Sequence, residues 1–487
     1  MEELEEEKFS VSEEYDSEFL SGGAVSGSDY NAEFFNADRT AEGGELNFEF
    51  LNAEPIDDSV DYNAEFFSAE AVRENKYKIS PEYLAAFLKW AVLAATVGVA
   101  SGFIGTLFHK SIEMANEYRL EHGWVIWLLP IGGLAIAALY KLHHLHESTG
   151  TNQVIEAVHS NERLPVIMGP LIFISTVITH LVGGSAGREG AALQLGSSIG
   201  AFLGRRLHLD DKDMNLITLC GMSGVFTALF GTPLTATFFS LEVISVGVIH
   251  YSGLMPCIVS SLSAFGISLL LGAEPVKFSL GFVPGLSLPA VMETGVLALL
   301  CAGLSIVFCV LMHKTRHFMV KKLQNDFARV FVGGCMILGL TLLLNTVDYN
   351  GAGMNIVGNA INGSAKPEAF VWKMIFTAIT IGTGYKGGEI VPTFFIGATF
   401  GCVVGGLLGL DPGFAAALGL VALFCAVVNS PVTSILLSIE LFGAEGIIFF
   451  ALAVCVSYMM SGYYGLYSSQ KILYSKIRTE FINIKAR

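Results

Sequence analysis

Two glutamates lie in glycine-rich segments at the points where apolar helices should begin. The first segment, GGSAGREGAALQLGSSIG, covers Gly183–Gly200 and places Arg188 and Glu189 directly before an apolar run. Free backbone N–H groups at a helix start attract anions. Ionisable side chains inside apolar membrane segments point to function. We therefore interpret Glu189 as a gate that blocks an anion path when charged and leaves it when protonated; the alternative is that it only caps the helix.

A second segment later in the chain has the same design. Gly387–Gly401 reads GGEIVPTFFIGATFG, follows Lys386 and carries Glu389 at its start. A protonated Glu389 could donate a hydrogen bond to an anion, and two carboxyl groups near one site would also give a proton path. The alternative is a turn-stabilising ion pair between Glu389 and Lys386.

These segments belong to a larger internal repeat. GTPLTATFFSLE at Gly231–Glu242 resembles NSPVTSILLSIE at Asn429–Glu440, and Gly187–Gly200 resembles Gly387–Gly401. Two ordered matches at one spacing indicate two related halves. Transporters built in this way place their substrate between the halves, near the middle of the membrane. The repeat alone leaves open whether the halves are parallel or inverted.

The elements that carry these motifs are predicted to lie in a lipid bilayer. Hydrophobic residues make up 52% of the 487 residues and charged residues only 15%, against ~25% charged in a soluble domain. Apolar runs interrupted by Gly and Pro are typical of helices broken at membrane depth. We expect an all-α integral membrane protein with a transmembrane domain over residues 79–478, in two halves of about 83–273 and 285–478, and no nucleic-acid partner.

The ends of the chain are predicted to be cytoplasmic. Residues 1–78 hold 22 acidic and 5 basic side chains and have the polar composition of a disordered tail, without the apolar stretch of a signal peptide. The motif DYNAEFF occurs twice in this tail, within DYNAEFFNA at Asp29–Ala37 and within DYNAEFFSA at Asp61–Ala69. It is either a duplicated disordered stretch or a docking motif for an unknown partner. Basic residues near the end indicate a cytoplasmic C-terminus, with 479–487 as a short final segment.

The motifs together resemble the CLC family of anion channels and transporters. The pattern consists of GREG followed by xxxQxG, PLTxxxFxxE, and GGxxxP followed by xxxxGAxxG, and the resemblance covers Tyr83–Lys476. It implies a CLC-type fold of two inverted-topology repeats with broken helices. It also implies a homodimer with one pore per subunit, multi-pass in the plasma or inner membrane.

The resemblance also implies a set of site residues. Glu189 corresponds to the external gate. The first anion motif of the family aligns with STGTN at Ser148–Asn152, and its central tyrosine aligns with KILYS at Lys471–Ser475. With the second-half amides, the implied anion-binding residues are Thr149, Gly150, Arg188, Glu189, Gly190, Glu389, Ile390 and Tyr474, with Glu189 and Glu389 as gating and proton-transfer groups.

Where this sequence departs from the chloride-type motifs, it resembles the fluoride/proton antiporter clade of the family. Glu389 replaces an apolar residue, Ala191 replaces the proline of GREGP, and Val243 stands where chloride exchangers carry an internal proton glutamate. Fluoride is small and strongly hydrated, so its desolvation demands strong donors. We expect an antiporter that exports fluoride in exchange for protons. The alternatives are a chloride/proton exchanger or a passive chloride channel of the same family.

Other classes have weaker support. The histidines of KLHHLHES, His143, His144 and His146, could suggest a metal, but their place at a helix end favours an interface role. Ser185 and Ser223 lie in patterns that formally match a serine nucleophile, which leaves an intramembrane serine protease as a remote alternative. We expect a transporter rather than an enzyme, with no cofactor and no metal site.

Overall fold

The computed structural model describes residues 38–39, 46–47, 81–144, 150–160 and 164–486. The chain divides into two units, Met1–Ser80 and Pro81–Arg487. In the first, the two-residue strands β1 (Asp38–Arg39) and β2 (Leu46–Asn47) pair antiparallel. Both DYNAEFF motifs lie outside the described residues, so disorder and docking in residues 1–78 stay predictions.

The first half of the second unit contains eight α-helices among its described residues. They are α1 (Pro81–Glu121), α2 (Leu129–Leu142), α3 (Thr151–Ser160), α4 (Met168–Val182), α5 (Glu189–Arg206), α6 (Asp211–Phe230), α7 (Pro233–Glu242) and α8 (Leu254–Leu270). Short 3₁₀ turns at Gly123–Leu128 and Tyr251–Gly253 precede α2 and α8. Pro233 occupies the first turn of α7, where backbone N–H groups make no hydrogen bond within the helix, so the absence of an N–H on proline costs nothing.

The second half of this unit also contains eight α-helices among its described residues. Its helices are α9 (Leu288–Lys322), α10 (Asp326–Leu344), α11 (Met354–Ile361), α12 (Ala369–Gly382), α13 (Ile390–Leu408), α14 (Pro412–Val428), α15 (Pro431–Phe442) and α16 (Ile447–Met460). A small sheet joins the halves, since β3 (Ser245–Val246) pairs parallel with β4 (Lys471–Tyr474), which pairs antiparallel with β5 (Phe481–Lys485). The predicted final segment 479–487 therefore includes a strand.

Seven helical segments among the described residues are long and apolar enough to cross a membrane. They are Tyr83–Glu121, Gly123–Leu142, Asp211–Phe230, Tyr251–Leu270, Leu288–Lys322, Asp326–Leu344 and Ile390–Leu408. Shorter apolar helices, among them α4, α12 and α14, fill the space between them. Helices α5, α7, α13 and α15 begin at the predicted Gly and Pro interruptions. The predicted all-α membrane fold with broken helices is confirmed.

Equivalent glycines bring equivalent helices together in the two halves. A Cβ added at Gly196 of α5 would lie 2.6 Å from the carbonyl carbon of Gly221 in α6. A Cβ added at Gly397 of α13 would lie 2.9 Å from the carbonyl carbon of Gly419 in α14. Only glycine allows backbones to approach so closely in a membrane, where packing rather than water drives helix association.

Two glutamates show that the halves are inverted. Glu242, the last residue of α7, accepts hydrogen bonds from the backbone N–H (2.9 Å) and hydroxyl (2.7 Å) of Thr433 at the start of α15. Glu440, near the end of α15, accepts from the N–H of Thr235 (2.8 Å) at the start of α7. Each helix end thus lies beside the start of its repeat partner. Because the related helices run antiparallel, the choice left open by the sequence is resolved in favour of inversion.

We expect Glu242→Ala to destabilise the protein. The change leaves buried donors at the start of α15 without an acceptor, which should lower the free energy of unfolding by about 1–3 kcal/mol. The measurement is the thermal unfolding temperature of the purified protein in detergent. Glu445→Ala, at an exposed position between α15 and α16, is the matched control. Equal unfolding temperatures for both variants would contradict the structural role of Glu242.

Candidate anion and proton site

Two glycines join the starts of α5 and α13. The N–H of Gly187 donates to the carbonyl of Gly388 and the N–H of Gly388 donates to the carbonyl of Gly187, both at 2.7 Å. A Cβ at Gly388 would lie 2.6 Å from the backbone nitrogen of Glu189 and 2.8 Å from that of Gly190. Glycine is therefore required here, and the bridge sets two helix N-termini side by side.

The carboxylate of Glu189 lies between these two helix starts. The side chain is fully buried. Its Oε1 accepts from the N–H of Arg188 (3.1 Å), and its Oε2 accepts from the N–H of Val391 (3.1 Å), in the first turn of the second-half helix α13. The carboxylate thus caps a helix of the other half. Such N–H groups at a helix start are also where an anion would bind, so the capping and gating interpretations describe one geometry.

The Arg188 side chain points away from this position. Its Nη1 donates to Nδ1 of His109 (2.6 Å), its Nη2 donates to the carbonyl of Leu229 (3.3 Å), and its guanidinium lies 5.3 Å from the centre of the Phe230 ring. Only the backbone of Arg188 faces Glu189. The implied anion-binding role therefore does not extend to its guanidinium, because that group is already satisfied elsewhere.

A cavity of about 80 Å³ lies next to the two helix starts. It brings together the predicted residues Gly150, Gly190 and Glu389 with several that were not predicted. The polar side chains added by the structure are Thr151, Asn152, Gln194, Arg316, Tyr385, Lys386 and Tyr467. Ile390 is buried at the start of α13 and is not among the lining residues.

A larger space of about 460 Å³, here called the vestibule, adjoins the cavity. Glu389 and Arg316 line both spaces, as does Asn152 at the start of α3. The vestibule is also lined by Gln153, Glu156, His313, His317 and Ser469. Glu389 therefore stands at the junction of the two spaces, where a carboxyl group can meet both an anion in the cavity and water in the vestibule.

The alternative of an ion pair between Glu389 and Lys386 is not realised. The Lys386 ammonium lies 4.4 Å from the centre of the Tyr140 ring. Within the described residues, no ion pair joins Lys386 to Glu389. The carboxyl group thus faces the cavity instead of stabilising the turn.

Tyr467, and not Tyr474, lines the cavity together with Tyr385. Tyr474 lies in β4 with 45% of its surface exposed, its ring against Phe481, and does not line the cavity. Tyr467 is 2% exposed and lines the cavity, and its hydroxyl has no hydrogen-bond partner in the described structure. Both tyrosines stand in Leu-Tyr-Ser triplets. Only the three-dimensional path of the chain distinguishes them. The structure places Tyr474 away from the cavity, so its anion-binding role stays a prediction that this geometry does not support.

Thr149 lies outside the described residues, so its contribution stays a prediction. Its neighbours support this region as part of the site, because Gly150, Thr151 and Asn152 line the cavity. The hydroxyl of Thr151 donates to the carbonyl of Gly190 (3.4 Å). The second threonine of STGTN was the available signal for this residue.

The serines that formally matched a nucleophile are occupied by other contacts. The Ser223 hydroxyl donates to the carbonyl of Cys220 (3.0 Å), and the Ser185 hydroxyl lies 3.1 Å from that of Thr377. Neither bonds to a histidine in the described part of the chain. The described residues also contain no group of three His, Cys, Asp or Glu side chains that could hold a metal; His146 lies outside them.

Comparison with known proteins identifies the family. A family model described as voltage gated chloride channel matches residues 132–462. The chain belongs to this family, the CLC family. Its fold agrees with that of a solved CLC-type fluoride/proton antiporter, with a TM-score of 0.77 and 30% identity over 81% of this chain and 99% of the other.

Two curated relatives of this chain carry different functional names. This CLC chain is 34% identical over 402 residues, 81% of its length and 89% of the relative's, to a chloride/fluoride channel protein of Pseudomonas syringae pv. tomato. It is 28% identical over 384 residues, 72% of its length and 81% of the relative's, to an H(+)/Cl(-) exchange transporter of Vibrio vulnificus.

We expect Tyr467→Phe, and not Tyr474→Phe, to weaken anion binding. Losing one buried donor to a desolvated anion costs about 1–3 kcal/mol, which raises the dissociation constant roughly 5-fold to 150-fold. The measurement is calorimetric titration of the purified protein with fluoride and chloride. Tyr474→Phe is the control because it makes the same change outside the cavity. Equal affinities in the wild type and in Tyr467→Phe would remove this hydroxyl from the site.

Proposed function

We propose that this protein is a secondary active antiporter that exports fluoride in exchange for protons. The observation that carries the proposal is the Glu189 carboxylate, which accepts a hydrogen bond from the N–H of Val391 at the start of α13. A negative group already occupies the place that a helix N-terminus offers to an anion. Protonation neutralises the carboxyl group and weakens its hold, so an anion can replace it. Proton binding and anion movement are coupled through this exchange.

The preference for fluoride rests on the donors around the cavity. The unpaired hydroxyl of Tyr467 and a protonated Glu389 would supply strong donors to a small anion. The similarity to a fluoride/proton antiporter and to a chloride/fluoride channel protein supports the same preference.

The proton path in this proposal consists of Glu189 and Glu389. Val243, at the position of the internal proton glutamate, is apolar and fully buried. Its neighbour Glu242 is held by Thr433 as a helix cap. Glu389 instead lines the vestibule and the cavity together, so it can receive a proton from one space and present it to the other.

A chloride/proton exchanger is the second candidate, supported by the similarity to the Vibrio exchange transporter. A passive chloride channel is the third, and the description of the family model supports it. Measuring fluoride efflux, chloride efflux and proton uptake together in liposomes separates the three. Fluoride efflux with stoichiometric proton uptake supports our proposal, whereas anion efflux without proton uptake indicates a channel.

We also propose a multi-pass homodimer in the plasma or inner membrane with both termini in the cytoplasm. Large apolar side chains are exposed on α8 and α16, as at Leu262, Leu269, Ile448 and Met459, and need lipid or a second subunit to cover them. The basic residues near the end of the chain support a cytoplasmic C-terminus.

We expect Glu189→Gln to abolish proton coupling. Glutamine mimics the neutral carboxyl group and cannot exchange a proton, so fluoride should move down its gradient without proton uptake. The measurement is simultaneous recording of fluoride efflux and proton uptake in liposomes. Glu113→Gln, a half-exposed side chain on α1, is the control and should stay coupled. Unchanged coupling in Glu189→Gln would contradict the gating role.

We expect Glu389→Ala to reduce the preference for fluoride over chloride. The change removes the carboxyl donor from the cavity, and Glu389→Gln should keep a donor while slowing coupled transport because it cannot carry a proton. The measurement is the ratio of fluoride to chloride efflux. Lys386→Met tests the ion-pair explanation and should leave the ratio intact. If the ratio stays unchanged in Glu389→Ala, the chloride exchanger becomes the better assignment.

A further inference from the structure

A buried glutamine presents an unpaired oxygen at the cavity. Gln194 lies five residues after Glu189 in α5 and is 3% exposed. Its Nε2 donates to the backbone carbonyl of Gly190 (3.0 Å). Its Oε1 is buried without a hydrogen-bond partner in the described structure, and the residue lines the cavity.

The orientation of this amide is set by its neighbour. The carbonyl of Gly190 can only accept, so it requires the –NH₂ side of Gln194. Turning the amide over would place two acceptors against each other. A buried acceptor without a donor is unfavourable, so a donor that reaches Oε1 within the cavity would be stabilised there. An anion is an acceptor and cannot fill this role, whereas a protonated carboxyl group can.

We propose that Gln194 is a positioning residue whose Oε1 accepts the hydrogen bond of the Glu389 carboxyl group while that group carries its proton. The inference rests on the proposed function and extends it. Gln194 and Glu389 line the same cavity of about 80 Å³, and the ionised form of Glu389 has no proton to donate to Oε1. Gln194 therefore stabilises only the proton-loaded state.

This contact also bears on anion choice. An arriving anion must draw the Glu389 O–H away from Oε1, so it has to compete with an amide oxygen as an acceptor. Fluoride is a stronger acceptor than chloride and competes better. Gln194 thereby raises the hydrogen-bond acceptor strength that an anion needs in order to bind. This effect adds to the selectivity that the donors supply.

Other charged and titratable groups surround the pair and must be held constant in a test. They come from α5, α9, the segment before α13 and the segment after α16, with more in the vestibule. They are Arg316, Tyr385, Lys386 and Tyr467 in the cavity wall, Glu189 at the neighbouring start of α5, and Glu156, His313 and His317 in the vestibule. A single change at Gln194 leaves all of them in place.

The test is the pH dependence of coupled fluoride transport by the full-length protein in liposomes. Gln194→Met keeps the size of the side chain and removes the amide acceptor, so protonation of Glu389 should become harder. The pH of half-maximal transport should fall by about half a pH unit to one pH unit, a roughly three- to tenfold loss of apparent proton affinity. The ratio of fluoride to chloride efflux should fall as well.

Gln153→Met is the matched control. Gln153 also has a buried Oε1 without a partner in the described structure, but it lines the vestibule and not the cavity. Its replacement should leave the midpoint at the wild-type pH. If Gln194→Met does not fold, Gln194→Asn keeps the amide but withdraws its oxygen by one methylene, and should give a smaller shift in the same direction.

Repeating the measurement in the Glu389→Gln protein tests whether the shift of the pH midpoint comes from Glu389. In Glu389→Gln the carboxyl group no longer titrates, so adding Gln194→Met should cause no further shift of the midpoint. A persisting shift would overturn the inference by assigning the effect to another group, and so would an unchanged midpoint in Gln194→Met alone. A wild-type protein that moves fluoride without protons would instead refute the proposed function.

Discussion

Everything at this site depends on two helix N-termini that are brought together by the glycine bridge between Gly187 and Gly388. Each helix start carries a partial positive charge and free N–H groups, and two of them side by side repel unless a negative group lies near. The Glu189 carboxylate, bonded to the N–H of Arg188 and of Val391, is that group here. The fold thus creates a region of positive potential that either a carboxylate side chain or a bound anion can neutralise.

One of the two equivalent glutamates, and not both, supplies the negative charge between the helix starts. Glu189 and Glu389 hold equivalent sequence positions, yet the first lies between the helix starts while the second faces the cavity and the vestibule. The second carboxyl group is thereby left available, and it is placed where both protons and anions can reach it.

The sequence predicted the parts of the site that follow from local sequence patterns. It missed the parts that depend on which distant segments the fold brings together. Gly150, Gly190 and Glu389 meet at the cavity because helix starts follow from Gly and Pro punctuation. Tyr467 was missed because two Leu-Tyr-Ser triplets are equivalent until the chain is folded. Gln194 belongs to the pattern GREG followed by xxxQxG, but its role was not predicted, since an unpaired oxygen is visible only when its surroundings are known. The repeat alone also left inversion open, because a repeat in the sequence carries no direction in space; the family resemblance implied inversion, and the reciprocal contacts of Glu242 and Glu440 confirm it.

The reciprocal caps of α7 and α15 have a consequence for biosynthesis. The start of α7 receives its acceptor from Glu440, and the start of α15 receives its own from Glu242. About 200 residues separate the two glutamates, which at 5–20 residues per second is roughly 10–40 seconds of translation. The first half must therefore wait in the membrane with an open helix end until the ribosome has nearly finished the second. In this architecture the halves mature as one unit, however clearly the sequence divides them.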